Sequence, residues 1–137
     1  MMAVLSGMLL AAVIPASSAV AYLSSPATWD VTVQQPLALQ AKGAAVSVPL
    51  QVTCPAGSYA HLDVSLTQRS GSTVVSGSVG RDVTCTGSPE SRTLNVVSSV
   101  GSRVFKKGPV FVEAVLYGCG YACGVMDTDS GTMEISR

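Results

Sequence analysis

The chain has little charge: Lys, Arg, Asp and Glu together make up 12% of its 137 residues, about half the usual share. Its eight basic and eight acidic residues cancel, leaving no basic stripe for nucleic acid and no acidic tail. Histidine occurs once, at His61, and asparagine once, at Asn95, where the following Val-Val makes no glycosylation sequon. There is no G-x-S-x-G elbow and no glycine-rich phosphate motif. Beyond the N-terminal region no apolar run approaches the length needed to span a bilayer, no helical periodicity persists and no segment repeats. These absences argue against nucleic-acid binding, a membrane span after processing, and any cofactor, which leaves a small exported domain as the best reading.

The N-terminus supplies the export signal. Val4 to Ile14 is uncharged, apolar and too short to cross a membrane, and Ala19-Val20-Ala21 is an A-x-A cleavage signature. The expected division is a leader over 1–21, a mature N-terminus with the first strand over 22–43, and a β-sandwich over 44–137, with 22–137 as one domain. The expected location is outside the cell or at its envelope. No Lys or Arg precedes Lys42, so the usual basic n-region is missing; a start codon assigned too far downstream explains this. The rival reading is a cytoplasmic protein with an apolar N-terminal strand or helix.

Strand signals fill the rest. Ala44 to Cys54 alternates strictly, with Val46, Val48, Leu50, Val52 and Cys54 on one face, which predicts a half-buried strand. Pro49 cannot donate to a ladder and so predicts an edge position or a bulge. Further strands are expected over Thr28–Gln34, Tyr59–Gln68, Thr73–Ser76, Thr93–Ser98, Val110–Tyr117 and Thr132–Ser136, with an irregular glycine-punctuated stretch at Ser78–Cys85. Val110–Tyr117 is apolar on both faces except at Glu113, which predicts a central or covered strand. About seven short strands separated by turn signals predict an all-β antiparallel sandwich.

Four cysteines, Cys54, Cys85, Cys119 and Cys123, permit three pairings. Their spacing lacks the C-x₂-C knuckles of structural zinc, and in an exported chain an even count favours disulfides. Cys119 and Cys123 enclose only Gly120-Tyr121-Ala122, a natural cross-link for a hairpin; if they pair, Cys54 must join Cys85. Chain entropy assigns the large loop about 3–4 kcal/mol and the small one about 2.

No catalytic constellation emerges. His61 is expected to face outward beside Asp63 as a solvated strand histidine, with no serine distinguished as a nucleophile. Asp127-Thr-Asp129-Ser-Gly131 with Glu134 departs from the EF-hand spacing and predicts a hairpin turn, so no metal site is expected. Glu113 has no second carboxylate placed for glycosidase chemistry, and Lys106-Lys107 reads as a solvated turn. The best candidate for function is the loop Gly118-Cys119-Gly120-Tyr121-Ala122-Cys123-Gly124, where a pinned loop presents Tyr121 between glycines at low entropic cost.

Val52-x-Cys54, Gln68-Arg69, Cys85-Thr-Gly87 and Phe105-x-x-Gly108 leading into Val110-x-Val112-Glu113-Ala114 together resemble small exported domains of unknown function from high-GC Gram-positive bacteria, over roughly 44–117. The resemblance implies an immunoglobulin-like sandwich and supplies no catalytic residues. In outline the layout is also similar to the neocarzinostatin-type apoproteins, exported sandwiches with two disulfides and a ligand cleft. Cys54 and Cys85 lie farther apart than that family's corresponding pair, so chromophore binding is not implied. The resulting expectation is a non-enzymatic exported module that binds an extracellular protein or small-molecule ligand, or is envelope-associated. The alternative is a protease inhibitor presenting the braced loop; a hydrolase ranks last.

Overall fold

The computed structural model describes residues 28–99 and 103–136; the expected leader and its cleavage point lie outside them. The described chain folds into eight strands: β1 (Asp30–Val33), β2 (Ala38–Gln40), β3 (Ala45–Thr53), β4 (Tyr59–Ser70), β5 (Thr73–Thr84), β6 (Glu90–Val97), β7 (Gly108–Cys119) and β8 (Cys123–Ile135). One sheet places β3 between β6 on one side and β1 and β2, end to end, on the other; the second runs β5-β4-β7-β8. Every pairing between these strands is antiparallel. The all-β antiparallel class is therefore as the alternation predicts, with eight strands where about seven were counted.

Period-two patterning accounts for the core. Val46, Val48, Leu50 and Val52 of β3 meet Leu62, Val64 and Leu66 of β4 and Val110, Val112, Ala114 and Leu116 of β7 in one buried cluster between the sheets. The buried polar Gln68 sits at its margin with its amide satisfied: Nε2 donates to the carbonyls of Lys106 and Pro109, and Oε1 accepts from the Lys106 N–H. β7 is central, between β4 and β8, as its two-faced apolar run predicts.

Three local expectations need correction. Pro49 lies in an interior strand, neither at an edge nor at a bulge. Its carbonyl accepts from the Gln34 N–H at 2.8 Å, so its nitrogen faces the same side, opposite the gap between β1 and β2. There the chain leaves β3, and Leu37 pairs instead with the end of β8, its N–H donating to Glu134 O and its carbonyl accepting from Ser136 N. No donor is required of Pro49 at that gap.

The two segments predicted over 73–85 form one continuous strand, β5. Its glycines are not breaks. Gly77 lets the backbone of Val97 approach, since a Cβ there would lie 2.2 Å from the Val97 carbonyl oxygen. The turn predicted at Asp127–Gly131 is likewise the middle of β8, a 13-residue strand. Asp127 and Asp129 reach across to β1, whose alternate N–H groups point away from β3. Asp127 Oδ2 accepts from Val31 N at 2.8 Å and Asp129 Oδ2 from Val33 N at 2.7 Å. Two carboxylates thus satisfy donors that would otherwise need another strand.

Candidate functional site

Both disulfides form as the spacing predicts. Cys54, just past β3, joins Cys85, just past β5, and so ties one sheet to the other; both residues are buried. Backbone hydrogen bonds from Gly87 N to Cys54 O and from Gly57 N to Cys85 O close the same corner. Cys119 and Cys123 face each other at the last register of the β7–β8 hairpin, with Cα atoms 4.0 Å apart.

The hairpin tip presents Tyr121 fully to solvent. Gly120 N donates to Ala122 O at 3.1 Å, so the three-residue tip is closed on itself. The glycines around it divide into two kinds. Gly120 and Gly124 have open space where a side chain would go and no positive φ, so neither position demands glycine. Gly118 is buried, and a Cβ there would lie 2.2–2.3 Å from ring carbons of Trp29. Its absent side chain is a seat for that indole, which packs against the core. Of the predicted loop residues, Gly120, Tyr121 and Gly124 are exposed, whereas Gly118 belongs to the packing beneath.

A second cluster lies on the outer face of the β5-β4-β7-β8 sheet. Register places Asp82, His61 and Tyr117 in one row across β5, β4 and β7, and Gly80, Asp63 and Val115 in the next. His61 Nδ1 is 2.9 Å from Asp82 Oδ1 and His61 Nε2 is 3.1 Å from Asp63 Oδ1. The Tyr59 hydroxyl donates to the same Asp82 oxygen at 3.1 Å, and the Tyr117 ring stands 6.5 Å from the imidazole, centroid to centroid. Gly80 makes room for this arrangement: a Cβ there would be 2.6 Å from Asp63 Oδ1 and 2.9 Å from His61 Nε2.

Both contacts can be made at once only if both ring nitrogens carry protons, which is the imidazolium form. The Asp82 hydrogen bond accordingly raises the His61 pKa above its ordinary value, partial desolvation opposes it, and Asp63 adds to the rise. The same bond holds Asp82 below the usual carboxylate range, helped by the Tyr59 hydroxyl; that shared bond also raises Tyr59. A histidine with both nitrogens engaged has no free lone pair with which to take a proton from a nucleophile, so this geometry is a cross-strand clamp rather than a general base. The sequence pointed to His61 and Asp63; Asp82 was missed because its placement depends on β5 being unbroken.

Along the second of these rows and the Ser78–Ser65–Glu113 row beyond it, Asp63, Ser65, Ser78, Gly80, Glu113 and Tyr117 line a shallow open groove of about 320 Å³. Glu113 points outward, exposed, opposite Ser65 and Ser130, and makes no ion pair among the described residues. No group of three metal-ligating side chains converges among the described residues, and no described helix is long and apolar enough to cross a membrane. Asp127, Asp129 and Glu134, the residues of the weighed calcium loop, are spread along one strand, with the two aspartates bound to β1. No protein-family model matches the chain, and no curated protein matches it either.

Proposed function

We propose that the chain is an exported, non-enzymatic immunoglobulin-like β-sandwich that works by binding, at the cell envelope or to an extracellular protein or small-molecule ligand. The observation that carries this reading is Tyr121, projected fully into solvent on a disulfide-closed tip of three residues. An aromatic ring held in this way offers large contact area with little further ordering to be done on association. Two disulfides in a single small domain favour an oxidising compartment. Two four-stranded antiparallel sheets joined by a buried disulfide support the immunoglobulin-like description. The staple departs from the antibody pattern, joining β3 to β5 rather than to β7.

The inhibitor alternative has less support from this geometry. A substrate-like inhibitor offers several extended residues to a protease cleft, whereas this tip is curled shut by its own Gly120–Ala122 hydrogen bond. The test uses residues 22–137 incubated with envelope fragments of the exporting cells and then sedimented. The wild-type domain should co-sediment, and Tyr121→Ser should shift most of it to the supernatant. Equal partitioning of the two would overturn the reading, and micromolar inhibition of any member of a protease panel would replace it with the alternative.

A further inference from the structure

Among the described residues, the edge of β5 beside the groove has no backbone partner along half its length. In β5 the even-numbered residues turn their backbone groups away from β4: the carbonyl of Ser76 accepts from Ser99 N at 2.8 Å and that of Val74 from Arg103 at 2.9 Å. Past Ser76 this covering stops. Among the described residues no backbone group pairs with the outward N–H and C=O of Ser78, Gly80, Asp82 and Thr84, and the Gly80 carbonyl is met only by the side chain of Arg81. An open run of alternate donors and acceptors is a template for an added strand.

The side chains beside that edge define what such a strand would carry. A residue added opposite Gly80 would project onto the outer face with no side chain between it and Asp63, the next residue in that row. A residue two places along would lie directly opposite Asp82, whose side chain is about three-quarters exposed. Glu113, on the far wall of the groove, adds a third carboxylate, and neither Lys nor Arg lines that groove. Long cationic side chains at alternate positions would therefore meet carboxylates at the spacing the strand itself sets. The chain's own first 41 residues hold no Lys or Arg, so its N-terminal segment does not have this chemistry.

We propose that the Ser78–Thr84 edge of β5 receives an extended segment of a partner polypeptide carrying Lys or Arg at alternate positions, which lie over Asp82 and, across Gly80, over Asp63. This deepens the binding reading by naming a partner class, and it uses a surface other than the Tyr121 tip. Arg81 then acts as a guard that must swing off the Gly80 carbonyl before a strand can pair. His61 tempers the charge of the site, since Asp63 on its own strand and Asp82 on β5 both face its ring, with Tyr59 and Tyr117 beside it. Protonated, it cancels part of the attraction for a basic strand, so affinity should rise severalfold from pH 5.5 to pH 8.

The test uses an eight-residue peptide alternating Thr and Arg, a peptide of the same composition with its arginines grouped at one end, and an alternating Thr-Glu peptide. The alternating basic peptide should shift the amide resonances of Ser78, Gly80, Asp82 and Thr84. It should also bind at least tenfold more tightly than either control, by calorimetry. Asp63→Asn with Asp82→Asn should weaken it tenfold or more, and Arg81→Ala should strengthen it. Ser78→Pro removes an outward donor at an edge where proline is tolerated; it should abolish binding while the rest of the amide spectrum stays dispersed. No binding of the alternating peptide, equal binding of the grouped one, or unchanged binding by Ser78→Pro would each overturn the proposal. If the peptide fails while co-sedimentation still depends on Tyr121, the edge proposal falls alone; if the peptide binds and co-sedimentation is insensitive to Tyr121, the tip reading falls alone.

Discussion

The two disulfides are chemically identical and mechanically unlike. Cys54–Cys85 joins the ends of strands in different sheets, 31 residues apart, and is buried where the sheets meet. Cys119–Cys123 joins neighbours four residues apart that the β7–β8 ladder already holds opposite each other. The first removes more conformational freedom from the unfolded chain than the second does. A cross-link's contribution therefore depends on what the surrounding hydrogen bonds would hold without it. On that view the first disulfide serves the fold, and the second serves the posture of Tyr121.

The sharpest way to break this contrast is to remove each bridge. Cys54→Ala with Cys85→Ala should cost about 3–4 kcal/mol from chain entropy alone, read as a lower urea midpoint; a loss no larger than that at the tip would erase the contrast. Next comes a link between the sheets that is not covalent. Asp127→Ala strands the Val31 N–H and should cost about 1.5–3 kcal/mol, the range for a hydrogen bond to a charged group. If the staple alone joined the sheets, this substitution would be silent. Removing the small bridge with Cys119→Ser and Cys123→Ser should cost at most about 2 kcal/mol, while amide relaxation at Tyr121 shows the tip newly mobile. At the root of the same hairpin, Gly118→Ala forces Trp29 out of its seat and should cost about 1–3 kcal/mol with a red-shifted indole emission. That would show the hairpin root to matter at least as much as its brace.

The smallest effect is on pH dependence. The folded pKa of His61 is raised, so its contribution is fully present below its unfolded value near 6.5 and is lost as pH climbs through the folded value. Asp82 is lowered, so its contribution is present above about 3.8 and fades as pH falls through its folded value. The clamp is therefore strongest between roughly pH 4 and 6.5. The Asp82 side chain is about three-quarters exposed and that of His61 about one-third, so screening keeps the change slight. Urea midpoints of the wild type and Asp82→Asn should differ most in that window and converge above it; a difference that grows towards pH 9 would reverse the assigned sign.

Much of the fold was legible because its signals are local. Strict alternation in β3 identified its buried face and put Cys54 on it, and the three-residue interval between Cys119 and Cys123 left Cys85 as the partner of Cys54. The misreadings share a cause, which is that residue types used in turns were recruited for contacts far away in sequence. Gly77 answers to Val97 and Gly80 to His61 and Asp63, neither of which is visible from within β5. Asp127 and Asp129 look like turn formers until β1, 96 residues earlier, presents its outward N–H groups. Pro49 looked like an edge marker because its neighbour's departure at Gln34–Leu37 depends on tertiary pairing with β8. At the candidate site, Tyr121 could be read from its glycine and cysteine neighbours. The Asp82–His61–Asp63 clamp could not, because it needs the β4–β5 register.

The carboxylates of Asp127 and Asp129 also set an order of events. Protein chains are made from the N-terminus, so β1 is among the first described segments to emerge and β8 is the last. Until residues 127–136 arrive, the outer amides of Val31 and Val33 lack the carboxylates that accept from them, and Leu37 lacks the strand end with which it pairs. The first described strand is thus secured by the last, and a molecule truncated before residue 127 is left with an unfinished edge.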